Sequence, residues 1–140
     1  MQAMSEIDRN LLLSQGPIEK MSQQIGWCVE LAIKPGQLGK FMKLTGEMVE
    51  LTRNEPGVLS YQRFVSGDET TIHAIESYVD SGAALIHLRN FAEKFAERFL
   101  SLADRKRFAV YGTPSPELKA LLDGFSASYL RPYGDLEYWP

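Results

Sequence analysis

The chain has 140 residues and a mass of 15.8 kDa, which suits one domain with its own core. Hydrophobic residues make up 44% and charged residues 24%, and the net charge is −3. This ordinary globular balance offers no electrostatic case for nucleic acid or an anionic membrane as the main partner. One cysteine excludes an internal disulfide, a Cys-rich zinc site and a Cys-ligated iron–sulfur cluster, and two histidines leave little room for a His-rich metal centre. No apolar run approaches the roughly 18–20 residues of a membrane span, and Leu11-Leu12-Leu13 is too short for a signal peptide. The expected location is the cytoplasm.

Residues 1–25 read as a polar N-terminal arm that packs on a partner subunit, with a short helix over about 5–14 broken by Gly16-Pro17. Met21 marks either an internal start or the domain edge. Trp27 to Ile33 reads as a strand, with Trp27, Val29, Leu31 and Ile33 on one face and Cys28, Glu30 and Ala32 on the other. Pro35-Gly36 ends it. An amphipathic helix over 37–53 follows, with Phe41, Leu44, Met48 and Leu51 at helical spacing.

Asn54-Glu55-Pro56-Gly57 is a turn signal. Val58–Val65 and Thr70–Tyr78 read as strands joined by the hairpin-type loop Ser66-Gly67-Asp68-Glu69. In the second of these, Ile72, Ala74, Glu76 and Tyr78 share a face. Asp80 is placed to cap the next helix, whose apolar stripe is Leu88, Phe91, Phe95, Phe99 and Leu102. The charged run Asp104-Arg105-Lys106-Arg107 reads as a solvated turn before a short strand, Phe108–Tyr111. Ser115 and Pro116 then start a short helix through Leu118, Leu121 and Leu122, and Ala127–Leu130 reads as a last strand. An aromatic tail, Tyr138-Trp139, follows.

This order predicts an α+β, ferredoxin-like fold, βαββαβ with an extra C-terminal helix and strand. Helices cover one face of such a sheet, yet the first three strands carry apolar side chains on both. The expected cover is a second copy, giving a homodimer joined sheet to sheet.

The stretch from Glu55 to His87 resembles the antibiotic-biosynthesis-monooxygenase family of dimeric α+β barrels. The matching residues are Glu55-Pro56-Gly57-x-x-x-Tyr61, then Glu76-x-Tyr78-x-Asp80-x-x-Ala83, then His87, nine positions after Tyr78. The core of the resemblance covers about 26–112, with 113–140 as a helix and strand extension of the same domain. It implies an intertwined dimer and, among family activities, oxygenation of polycyclic phenols and quinols without metal or flavin, or heme degradation. The heme-degrading positions fall approximately on Val29, His87 and Glu97, none of which matches.

His87 is the expected catalytic residue, a base or hydrogen-bond donor to a phenolic substrate, because its pKa suits proton transfer near neutrality. A second family histidine five positions on is Ala92 here. Tyr61, Tyr78 and Glu76 are the expected substrate-binding residues. Each also has a structural reading: a boundary histidine, strand aromatics packed in the core, and a carboxylate paired with Arg63 or Arg89. Trp27 and Trp139 read as interface packing. Cys28, with no local histidine or basic neighbour, reads as a buried inert thiol.

No cofactor and no metal are expected. The function so predicted is a cofactor-independent monooxygenase acting on a small aromatic or quinol-like substrate. The alternative is a non-catalytic small-ligand-binding or stress-associated dimeric protein of the same fold.

Overall fold

The structure is a computed structural model that describes residues 23–134. The predicted helix over 5–14, the Met21 edge and the Tyr138-Trp139 tail lie outside the described residues.

Strand β1 (Ile25–Ile33) starts two residues earlier than the sequence pattern suggests, because Ile25 extends the same buried alternation. Helix α1 (Leu38–Thr52) buries Phe41, Leu44, Thr45, Met48 and Thr52. Strands β2 (Val58–Val65) and β3 (Thr71–Tyr78) form the expected hairpin. Ser66, Asp68 and Thr70 hold its loop through side-chain hydrogen bonds on the Asp68 carboxylate.

Helix α2 (Ser81–Lys94) is capped by Asp80, whose carboxylate accepts from the Ala83 amide at 2.9 Å. The predicted long helix does not run on unbroken. Phe95, at φ −128°, interrupts it, and α3 (Ala96–Leu102) follows as a separate short helix. The break brings Phe91 and Phe99 edge to face, with ring centroids 5.1 Å apart. On a straight helix, residues eight apart sit about 12 Å apart along the axis, too far for that contact.

Strand β4 (Ala103–Tyr111) is more than twice the predicted length, and the charged run lies in its first half rather than in a solvated turn. The backbone there pairs with β1 while its side chains stay exposed. A register shift at Glu30/Leu31, which Lys106 occupies as the extra β4 residue, removes the alternation that marks a strand. Helix α4 (Pro116–Asp123) begins as predicted, with Ser115 accepting from the Leu118 amide, and β5 (Ser128–Leu130) runs parallel to β4.

The sheet order is β2-β3-β1-β4-β5, antiparallel except for the β4–β5 pair. This is the ferredoxin-like α+β arrangement, with helices on one face. Trp27 belongs to the core and not to the expected interface packing. It is 1% exposed and packs against Tyr78 and Phe108 with centroids at 4.9 and 5.5 Å, because the inward face of the central strand lies under the helices. Phe41, Ile25, Leu31, Val110, Leu118 and Leu122 are, with Trp27 and Tyr78, the largest fully buried side chains. The opposite sheet face keeps Phe64, Ile75, Tyr111 and Leu130 exposed.

Candidate active site

Three pieces of local structure place His87. Gly57 has φ +79°, which favours glycine, and an added Cβ would stand 2.7 Å from Ala83 Cβ and 2.8 Å from Val79 Cγ2. The turn before β2 therefore lies directly on the first turn of α2, held by the Val79 amide donating to Gly57 O. Ala83 and Ala84 are both buried, and their small side chains let α2 sit close. His87 stands one turn beyond Ala83 on the same helix face.

The imidazole is gripped from both sides. Nδ1 lies 3.2 Å from Glu55 Oε1 and Nε2 lies 3.0 Å from Glu76 Oε1. Tyr78 donates its hydroxyl to the same Glu76 oxygen at 2.7 Å. The side chains of Glu55, His87 and Glu76 are 4%, 7% and 8% exposed, so these charges meet out of water. Such burial is tolerated only where the groups are paired. Glu55 Oε2 is the exception, a sealed oxygen with no partner among the described residues.

Burial acts most strongly on His87 and would pull its pKa down. The hydrogen bond and charge of Glu76, then those of Glu55, outweigh it and leave the pKa above the ordinary value. Burial, followed by the Glu76 charge, pushes both the Tyr61 and Tyr78 phenols well up, so both remain protonated donors at neutral pH.

Beside this cluster is a partly open cavity between the sheet and helices α1, α2 and α3. Trp27, Val29 and Phe108 form its floor, and Met48, Phe91, Phe99 and Phe125 its walls. Tyr61, Glu76, His87 and Arg105 are the polar residues on its lining. Tyr61 meets His87 edge-on at 5.4 Å, and the Arg63 guanidinium lies over the Tyr61 ring at 5.7 Å.

The structure thus gathers His87, Glu76, Tyr61 and Tyr78 in one place. Tyr78 is completely buried behind Glu76 and does not line the cavity. The expected arginine partners of Glu76 are both elsewhere. Arg63 donates to Thr45 O at 2.6 Å, and Arg89 pairs with Glu117 at 2.6 Å. Their place is taken by His87 and Tyr78, because Glu76 points inward beneath α2.

Glu55 reads in the sequence as a turn residue and as the first position of the Glu55-Pro56-Gly57-x-x-x-Tyr61 resemblance, without a role in the site. Cys28 does have a histidine neighbour. Cross-strand pairing of β1 with β3 sets His73 Nδ1 3.8 Å from its sulfur, and His73 Nε2 lies 3.3 Å from Glu30. Burial and then the Glu30 charge still push the thiol up. Glu97 and Ala92 both lie away from the cavity lining. Among the described residues, no group of three or more Cys, His, Asp or Glu side chains is arranged to hold a metal. No described helix is long and apolar enough to cross a membrane.

Fold and site together define a ferredoxin-like α+β domain with a buried acid–histidine–acid cluster opening onto an aromatic cavity. The chain matches the family model for antibiotic biosynthesis monooxygenase over residues 26–94. It is similar in structure to MupZ from Pseudomonas fluorescens, at 28% identity and a TM-score of 0.71, over 83% of this chain and 95% of that one. A conserved protein from Methanosarcina mazei Go1 shares the fold at 18% identity and a TM-score of 0.61, over 69% and 98% of the two chains. So does SnoaB, a cofactor-independent oxygenase from Streptomyces nogalater, at 12% identity and a TM-score of 0.57, over 66% and 95%. No curated protein matches the sequence.

Proposed function

We propose that the protein is a cytoplasmic, cofactor-independent monooxygenase of small aromatic or quinol-like substrates. The observation that carries this reading is the paired His87–Glu76 unit on the wall of a cavity lined mainly by apolar and aromatic side chains. An acid–base pair in a low-dielectric pocket suits removal of a phenolic proton. The resulting electron-rich anion reacts with dioxygen. In net terms, a ring CH₂-equivalent pair of hydrogens, one from a ring C–H and one from the O–H, is lost as two carbonyls of a quinone form; one oxygen atom of dioxygen enters the ring and the other leaves as water. His87 and Glu76 handle the proton, the Tyr61 hydroxyl orients the substrate oxygen, and Tyr78 holds Glu76 from behind.

The working form in this reading is a homodimer closed sheet to sheet over Phe64, Ile75, Tyr111 and Leu130. In the same reading the segment after α4 closes the cavity through Phe125. Light scattering should give twice the chain mass, and a dilute monomer contradicts the dimer. Oxygen uptake with a panel of naphthols and hydroquinones tests the activity. Uptake above the uncatalysed rate, abolished by His87→Ala, supports it. Saturable binding with background uptake by the wild type supports the ligand-binding alternative instead.

A further inference from the structure

His87 has no ring nitrogen left to act as a free base, since one faces Glu55 and the other Glu76. Two buried carboxylates on one imidazole are best satisfied when both nitrogens carry protons, because a neutral ring would leave one oxygen facing a lone pair. Glu76 differs from Glu55 in what remains to it. The hydrogen bonds of Glu76 among the described residues all fall on Oε1. Its side chain lines the cavity, and Oε2 is not among the sealed, unpartnered oxygens. Glu55 does not line the cavity, and its unpartnered Oε2 is sealed.

Resting on the proposed phenolic chemistry, we infer that Glu55 is a positioning residue that holds His87 as a bridging imidazolium, so that Glu76 Oε2 is the atom that takes the substrate proton. In that step the ligand O–H bond breaks, its proton passes to Glu76, and the electron pair stays on the phenolate oxygen beside the imidazolium. Charge is conserved within the pocket.

The same geometry defines the ligand. The cluster oxygen left for a ligand at the polar end of the cavity is an acceptor, Glu76 Oε2. Other titratable and charged groups facing the cluster are Tyr61 and Arg63 from β2, Tyr78 from β3, and Arg105 from β4 at the cavity lining. Arg63 is committed to Thr45 O. Arg105 lies over the Phe125 ring at 4.9 Å. An acceptor carboxylate at that position selects an aromatic with a hydroxyl donor over an aromatic carboxylate of the same size, which would set oxygen against oxygen.

Histidine-selective long-range proton–nitrogen NMR tests the assignment without turnover. His73→Asn leaves His87 as the remaining histidine, since the sequence has two. Both His87 nitrogens should read as protonated at neutral pH. Glu55→Gln should lower its titration midpoint by about one pH unit or more, as loss of an adjacent opposite charge does, and Glu55→Asp should restore most of it. A neutral single tautomer in the wild type overturns the inference even if Glu55→Gln fails to fold, and so does a midpoint unmoved by Glu55→Gln.

Anaerobic calorimetry with 2-naphthol and 2-naphthoate tests the selectivity. The naphthol should bind at least about tenfold tighter, and Glu76→Gln should remove that preference; equal binding to the wild type contradicts it. Absent oxygen uptake with these results intact defeats the oxygenase reading and leaves the imidazolium bridge standing.

Discussion

Gly57→Ala probes the contact on which the site is built. An alanine at φ +79° costs about 1–2 kcal/mol in backbone strain, less about 0.4–1 kcal/mol recovered from the stiffer unfolded chain. Its Cβ also meets Ala83 Cβ at 2.7 Å and Val79 Cγ2 at 2.8 Å, distances that force the turn and α2 apart. Overpacking of this kind costs about 1–3 kcal/mol more. Gly36 supplies the control, because it has φ +75° with nothing within 4 Å of an added methyl. Gly36→Ala should therefore cost about 1 kcal/mol from strain alone, and Gly57→Ala about 2–4 kcal/mol. Urea unfolding of the two variants beside the wild type measures both. The His87 titration should also move down in Gly57→Ala, because the displaced turn carries Glu55. Equal destabilisation in the two variants, with His87 unchanged, refutes the claim that the Glu-Pro-Gly turn is seated on α2.

Other consequences are as direct. The raised pKa of His87 means that the native state keeps a proton the unfolded chain releases. Its stabilisation is complete below the ordinary histidine value of about 6.5 and is lost as pH rises through the raised value. Unfolding midpoints should fall with pH across that range in the wild type and stay flatter in His87→Gln; parallel profiles contradict this. Asp80→Ala removes the cap at Ala83 and should cost about 1 kcal/mol by urea titration. Cys28, its thiol pushed up by burial and Glu30, should alkylate with iodoacetamide more slowly than glutathione near neutral pH, and His73→Ala should not accelerate it. Rapid native alkylation would show that His73 activates the sulfur.

The central strands were legible because period-two alternation survives wherever one sheet face is covered. Trp27, Val29 and Leu31 on β1, and Ile72 to Tyr78 on β3, follow it without a break. The first half of β4 was not, because its exposed position leaves charged side chains in water while a bulge shifts their phase. The break at Phe95 leaves no trace in a periodic apolar stripe, since Phe91, Phe95 and Phe99 fit an unbroken helix equally well. Within the site, His87, Glu76 and Tyr61 could be named from spacing and residue type. Their pairing could not. Glu55 reaches His87 across 32 positions of sequence, through a turn whose seating on α2 depends on tertiary packing. Arg63 looked the nearer partner for Glu76 because β2 adjoins β3, but its guanidinium is taken by Thr45 O.

The central claim is that the His87–Glu76 pair serves oxygenation in the adjoining cavity. Incubation of the wild type, Glu76→Gln and His87→Ala with naphthols under ¹⁸O-labelled dioxygen, followed by mass spectrometry, tests it most directly. The account predicts quinone products carrying one labelled oxygen atom from the wild type, and only the uncatalysed background from either variant. Unlabelled products, or equal yields from all three proteins, contradict it.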